Sequence, residues 1–374
     1  MFKRFLPVVL AALNLLALSS CSGGSSANKI VIGGIGPLTG DLSIYGTAAM
    51  DGAALAFEEA GTALGKTIDF QILDDKGEVT EAGNAYNKLA SNSKAIAIIG
   101  SVTSTPAANV AVLSQKDGIP VITPTGTAVD VTTYGPNVYR ACFIDPFQGQ
   151  VMAKFSTDKL NAKTAAVLYN NGSDYSIGLA ESFEKTFTES GGQLVGYEGY
   201  GDGDVDFKSQ LIKIAEGSPE VLFLPDYYKV VALIAKQASD IGIDSILLGA
   251  DGWDGVLESI SNKDYIEGGY FCNHYSNDVP DPVIQEFVEN YSSKYGKVPN
   301  AFAALGYDAA KILLAAIEKA QDTDKDKLIE ALNATDINSV TGNITFDQDR
   351  NPIKSAAIMK IEGGNAVAVE MFTP

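Results

Sequence analysis

A chain of 374 residues, 46% hydrophobic and 20% charged, is too long for one ordinary core and points to about two soluble domains. Its net charge of −19, with no basic run, repels nucleic acid and anionic lipid and disfavours polyanionic ligands. A single histidine, His274, excludes His-rich metal sites and any catalytic constellation supported by a second histidine.

At the N-terminus, MFKR precedes the apolar stretch FLPVVLAALNLLAL, which is interrupted by Pro7 and Asn14. This stretch is shorter than the ~20 residues that span a bilayer, so residues 1–20 read as a secretory signal peptide. Cys21 follows Leu18-Ser19-Ser20, a pattern that resembles a lipobox, whose cysteine becomes the lipid-bearing end of a bacterial lipoprotein. An ordinary signal peptide with a chance cysteine is the alternative. SGGSSAN then reads as a flexible tether, making 21–28 a lipid-anchored segment. The expectation is an exported protein that faces the periplasm or cell exterior and meets the membrane through its lipid alone. Losing residues 1–20 removes Lys3 and Arg4 and no acid, moving the charge from −19 to about −21 and leaving only two arginines, Arg140 and Arg350. Cys142 and Cys272 also remain, as one disulfide in an oxidising compartment or as two buried thiols.

From Lys29 onward, short apolar runs alternate with helical patterns. KIVIGGIG, TIDFQIL, AIAIIG and PVITP read as strands. Between them, AAMDGAALAFEEA, EAGNAYNKLASN and PAANVAVLSQKDG read as helices. After VYRACF the rhythm starts again: helix FQGQVMAKFSTDKL, strand TAAVLYN, helix IGLAESFEKTFTES and strand QLVGYE. It continues through helix DFKSQLIKIAEG, strand VLFLP, helix YYKVVALIAKQASDIG and strands SILLG and GGYFCNHY. Such alternation implies parallel sheets covered by helices on both faces. Residues 281–334 are almost wholly helical, and GNITFD, SAAIMKI and VAVEMF close the chain as short strands. Helices without strands, followed by orphan strands, imply that the chain returns to both earlier blocks. In open α/β sheets ligands bind beyond the carboxyl ends of the strands.

Several catalytic and cofactor motifs fail on inspection. GGIGPLTG has Thr39 where a dinucleotide fingerprint needs its third glycine, and Pro37 interrupts the turn. GTALGKT is one residue short of a phosphate loop and follows a helix instead of a strand. DGDVDF has Phe207 where a calcium loop needs glycine and Lys213 where it needs glutamate; Asp204 or Asp206 reads better as a helix cap. The hydroxyls near 101–105 have no partnering base in any recognisable motif. No enzyme, cofactor or metal is expected.

What remains is a set of strand-end loops bearing small polar groups and aromatics. SVTSTPAANVAV follows the AIAIIG strand and presents Ser104 and Thr105 at a helix start, with Pro106 in the first turn. Free N–H groups and hydroxyls there suit a carboxylate, although Ser104 also reads as a plain cap. Further loops present Thr125 and Thr127, Tyr45, Tyr175, Tyr227, and Asp251 beside Trp253. One carboxylate, several hydroxyls and aromatics suit a small zwitterion with an apolar side chain, its carboxylate on Ser104 and its ammonium on Asp251 and Thr127.

In this order, IVIGGIGPLTGDLSIYG, AIIGSVTSTPAANVA, PVITPTGT, VYRACFIDPFQGQ, PDYYKVVALIAKQA, GADGWDG, VPNAFAALGYDAAKILLAAI and TGNITFD resemble the extracellular ligand-binding receptor family. These are the type I substrate-binding proteins of ABC importers for branched-chain and related amino acids. The resemblance spans about residues 29–372 and implies an α/β fold of two Rossmann-like lobes joined by a three-strand hinge. It implies lobe 1 at 29–141 plus 273–340 and lobe 2 at 142–272 plus 341–374, with crossings near Arg140–Phe143, Phe271–Asn273 and Thr341–Thr345. Cys142 and Cys272 would then lie on neighbouring hinge strands, where a disulfide is conceivable. The family's carboxylate-binding serine falls on Ser104, its threonine loop on Thr125 and Thr127, and its pocket aromatics on Tyr45, Tyr175 and Tyr227. The acidic ammonium partner, often Glu in the family, falls on Asp251, and Trp253 would narrow the side-chain pocket. The implied function is capture of a free amino acid, branched-chain or otherwise apolar, for delivery to an ABC permease. A ligand-binding sensor for chemotaxis or signalling is the second reading.

Overall fold

The computed structural model describes residues 28–372; the leader, Cys21 and the tether through residue 27 lie outside the described residues. The chain opens with β1 (Lys29–Gly36), α1 (Ser43–Ala60), β2 (Thr62–Ala63), β3 (Lys66–Asp74), α2 (Val79–Asn87), β4 (Ala97–Ile99), α3 (Ser104–Asp117), β5 (Val121–Thr123) and β6 (Val138–Arg140). These strands form one sheet in the order β2-β3-β1-β4-β5-β6. All neighbours are parallel except the short β2–β3 pair. A parallel sheet is covered on both faces, which is why AIAIIG and PVITP are continuously apolar rather than alternating.

The next stretch runs α4 (Asp145–Asp158), β7 (Thr164–Asn170), α5 (Asp174–Glu189), β8 (Gln193–Tyr200), α6 (Lys208–Glu216), β9 (Val221–Phe223), α7 (Tyr228–Asp240), β10 (Ile246–Gly249), α8 (Val256–Ser259) and β11 (Tyr270–Asn273). Helices α9 (Pro282–Tyr295), α10 (Ala301–Ala320) and α11 (Lys325–Asn333) follow. The chain then forms a hairpin of β12 (Asp336–Ser339) with β13 (Gly342–Thr345), and ends on β14 (Ala356–Glu362) and β15 (Asn365–Phe372). The second sheet has the order β15-β14-β11-β10-β9-β7-β8. Its last two strands are antiparallel additions to an otherwise parallel core. Two mainly parallel sheets flanked by helices give the α/β architecture of two lobes.

Helix α10 returns to the first lobe and lies against α1 at backbone contact. A Cβ on Gly52 would stand 2.0 Å from the Ala303 carbonyl oxygen, and one on Gly306 would stand 1.9 Å from that of Ala49. Only glycine admits this approach, which fixes the site-bearing start of α1 against the start of α10.

The chain passes between lobes three times: after β6, after β11, and between Arg350 and β14. The third passage is later than the expected 341–345. The strand-like GNITFD pairs with β12 instead of joining the second sheet, and residues up to Arg350 stay on the first lobe. There Arg350 Nε donates to the Val138 carbonyl at 3.0 Å, and Phe346 packs on Tyr139 with centroids 5.3 Å apart. Lys354 then binds the passages together. Its buried ammonium donates to the Ala141 carbonyl at 2.7 Å and to Thr341 Oγ1, and lies 3.7 Å from Asp308 of α10. Asp308 in turn accepts from the Val340 and Thr341 N–H groups at 3.0 and 3.1 Å. Cys142 and Cys272 are free, buried thiols and not the conceivable disulfide; burial pushes the Cys142 thiol up to about 12.

Candidate functional site

The carboxyl ends of both sheets face each other across one cleft, and the cleft is shut. Tyr45, at the start of α1, donates to the Gly252 carbonyl of the other lobe and accepts the Tyr228 N–H at 3.1 Å. Tyr228 Oη donates to the Asp41 carbonyl at 2.5 Å, and Lys229 pairs with Asp41 at 2.6 Å. Near the hinge, Asp254 of the second lobe accepts from the Ala301 N–H that begins α10, at 2.8 Å. Burial pushes the Asp254 carboxyl up to about 6.

Aromatic rings line the interior. Tyr45 stacks on Phe302, centroids 4.0 Å apart and planes at 10°, and meets Tyr227 edge-on at 5.7 Å. Tyr227 stacks on Tyr175 at 4.9 Å. Burial raises the phenol pKa of Tyr45, Tyr175 and Tyr227 well above its ordinary value, so all three remain neutral donors.

Asp251 is 2% exposed and saturated with protein partners. Tyr175 Oη donates to Oδ1 at 2.7 Å, Gln148 Nε2 to the same oxygen at 3.1 Å, and His274 Nε2 lies 3.0 Å from Oδ2. Gln148 closes a second bond by accepting the Asp251 N–H at 3.0 Å. Gly252 is required here, because a Cβ would sit 2.7 Å from the Tyr175 hydroxyl.

Asp145 is the opposite case. It begins α4, is 1% exposed, and neither carboxylate oxygen has a hydrogen-bond partner. Burial pushes its carboxyl well above the ordinary range; a Thr127 contact and the charge of Arg140 pull the other way, while Asp251 adds to the rise. Thr127 is fully buried, and its hydroxyl also lacks a partner. Its carbonyl accepts the Asp145 N–H at 3.1 Å, so the two residues adjoin. Arg140 and Arg350 both donate to carbonyls of this loop, at Gly126, Val129 and Thr132. A cavity of about 460 Å³, walled by Asp130, Asp174, Glu181 and Lys185, reaches Asp145 from outside.

Across the cleft, Ser104 does not cap its helix. The cap position is Thr103, which makes no capping bond, and Ser104 Oγ instead accepts the Ala128 N–H at 3.2 Å. The Thr103 hydroxyl is buried without a partner, and the Ser104 N–H faces the Tyr227 hydroxyl. The start of a helix of this length is a ready anion site.

The remaining expected residues are dispersed. Thr125 is occupied, donating to the Val102 carbonyl at 2.5 Å. Thr105 lies at the rim, 3.4 Å from Asp174 of the other lobe. Trp253 does not narrow the cleft. It is fully buried in the second lobe, its indole N–H donates to the Leu224 carbonyl at 2.9 Å, and its ring covers Gly249. Sequence reasoning missed Asp145, Gln148, Phe302 and the placement of His274. IDPFQGQ carries the first two, but an acid before proline at a helix start reads as local helix chemistry. Among the described residues no group of three or more His, Cys, Asp or Glu side chains could hold a metal ion, and no helix is long and apolar enough to cross a membrane.

A family model described as periplasmic binding protein matches residues 29–366. A leucine-binding protein of Thermotoga maritima superposes with a TM-score of 0.89 at 36% identity, covering 92% of this chain and 99% of that one. A branched-chain amino acid transporter substrate-binding protein of Streptococcus pneumoniae, solved with isoleucine, gives 0.86 at 32% identity over 92% and 100%. A leucine-, isoleucine-, valine-, threonine- and alanine-binding protein of Pseudomonas aeruginosa is 27% identical over 90% of each chain. These neighbours bind substrates and are not enzymes.

Proposed function

The chain belongs to the periplasmic binding protein family, and from that premise we propose that it shuts its two lobes around one free α-amino acid and delivers it to an ABC permease. One observation carries the choice of head group: the Asp145 carboxylate is buried with no protein partner on either oxygen. A bare buried carboxylate is costly, and an ammonium beside it removes that cost. The ligand's ammonium sits on Asp145 and Thr127, with the fixed charge of Asp251 nearby. Its carboxylate takes Ser104, Thr103 and the N-terminus of α3, whose N–H groups suit an anion. Tyr45, Phe302 and Tyr227 offer an aromatic wall to an apolar side chain, in keeping with the leucine and isoleucine named for the relatives. The lobes swing about the three passages, and the closed face is what the permease reads. Cleavage before Cys21 and lipidation of its thiol would hold the protein at the membrane.

The test is a thermal-shift screen of the soluble domain against the twenty amino acids, with 4-methylpentanoate as the amine-free counterpart of leucine. A true ligand at 100 times its Kd adds roughly 2.7 kcal/mol of stability. Leucine or a near relative is expected to shift the melting point and 4-methylpentanoate to leave it in place. A shift by both compounds would remove the ammonium from the account.

A further inference from the structure

His274 is the single histidine of the chain, and amino acid capture as described does not use it. It stands one residue beyond β11, at the second passage between lobes, with a fully buried side chain. Its ring lies flat on Phe143 of the first passage, centroids 3.6 Å apart and planes at 22°. Its Nε2 is 3.0 Å from Asp251 Oδ2, while Nδ1 is buried without a partner. A carboxylate only accepts, so Nε2 carries the hydrogen and the neutral ring leaves Nδ1 bare.

An aspartate is one methylene shorter than glutamate, so its carboxylate has little reach and must be held in place. Gln148 and Tyr175 both act on Oδ1, leaving His274 as the group that meets Oδ2. We propose that His274 is a positioning residue for Asp251, fixing its carboxylate at the cleft and tying that orientation to the stacking of the first passage on the second. The proposal rests on the reading that an ammonium binds between Asp145 and Asp251. Without the His274 donor, Oδ2 is free to turn, and the two acids of the cleft no longer present a fixed pair to the ligand.

The ring's charge state follows from its surroundings. Burial lowers the His274 pKa and Lys354 of the third passage acts in the same sense. Asp251, by hydrogen bond and charge, and Asp308 of α10 oppose them. Phe143 brings no charge from the first passage, and Asp145 lies two residues beyond it. A proton added to the ring would neutralise Asp251 and compete with the ligand's ammonium, so leucine affinity falls in acid through this residue as well as through Asp145.

The experiment compares untagged wild type, His274→Ala and His274→Gln by calorimetry with leucine between pH 5 and 8, alongside nitrogen NMR of the imidazole. With one histidine, the ring gives one pair of signals. Wild type is expected to show the neutral Nε2–H tautomer at pH 7, with a His274 pKa that changes in Asp251→Asn. His274→Ala should lose about tenfold in leucine affinity, the size expected for a lost charge-assisted hydrogen bond. His274→Gln, whose amide N–H can reach the same oxygen, should recover most of it and bind with a weaker dependence on pH. Equal affinity in all three proteins would overturn the proposal, as would an equal loss in both variants. An Nδ1–H tautomer would overturn it even if His274→Ala failed to fold. Failure of wild type to bind any amino acid would instead sink the ligand reading, and the tautomer would still decide whether His274 holds Asp251.

Discussion

Two buried acids face the same cleft and are treated in opposite ways. Asp251 has Tyr175, Gln148 and His274 around it, whereas Asp145 has no partner on either oxygen. A carboxylate satisfied by its own protein is scaffolding: it fixes the shape and potential of the site. One left bare inside a closed cleft is an unfilled valence, and a native fold tolerates few of them. That contrast is what supports the proposed placement of the ligand's ammonium at Asp145, with Asp251 as its stationary neighbour.

The sharpest way to break this contrast is substitution at both positions. Asp145→Asn should weaken leucine binding by about 2–4 kcal/mol and leave the ligand-free melting temperature unchanged or higher, since a costly buried charge is gone. Asp251→Asn should do the reverse in emphasis, destabilising the free protein by roughly 1–3 kcal/mol as its three donors lose a charged acceptor, with a smaller loss of affinity. Calorimetry and melting curves of the pair decide; matching profiles would erase the distinction.

Acid should reveal the same asymmetry. The Asp145 pKa is raised in the free folded protein, so its contribution to stability is fully present below the unfolded pKa and is lost as pH rises through the folded value. A bound ammonium lowers that pKa, so binding releases a proton in the intervening window. Affinity should thus fall on acidification by up to about tenfold per pH unit, while the ligand-free protein gains stability over the same range. In Asp145→Asn the proton release measured in buffers of different ionisation heat should vanish.

Smaller effects sharpen the boundary of the site. Ser104→Ala should cost about 1–2 kcal/mol of affinity with little change in stability, because Ser104 is not the helix cap. Trp253→Phe should leave affinity intact and lower stability by roughly 1–2 kcal/mol through the lost indole bond to Leu224. A Trp253→Phe protein that bound leucine less tightly would return that residue to the pocket.

The alternating order of strands and helices was legible because buried parallel strands write themselves as unbroken apolar runs. The hairpin was not: Asp336–Ser339 is polar and becomes a strand only by pairing with Gly342–Thr345. That pairing also moves the third passage beyond Arg350. Within the site, Tyr45, Tyr175, Tyr227, Ser104, Thr127 and Asp251 come together, since each stands at a strand end or helix start. Trp253 does not, because the short turn Asp251–Trp253 sends its first side chain to the cleft and its last into the core. Asp145 escaped notice for a different reason. A bare carboxylate is defined by missing partners, and the absence of a partner leaves no trace in the sequence.

The most direct test is a crystal structure of the closed protein with leucine bound. The account predicts the ligand nitrogen within about 3 Å of an Asp145 oxygen and of Thr127 Oγ1, with Asp251 still held by Tyr175, Gln148 and His274. A leucine whose ammonium rests on Asp251 while Asp145 stays bare would contradict it.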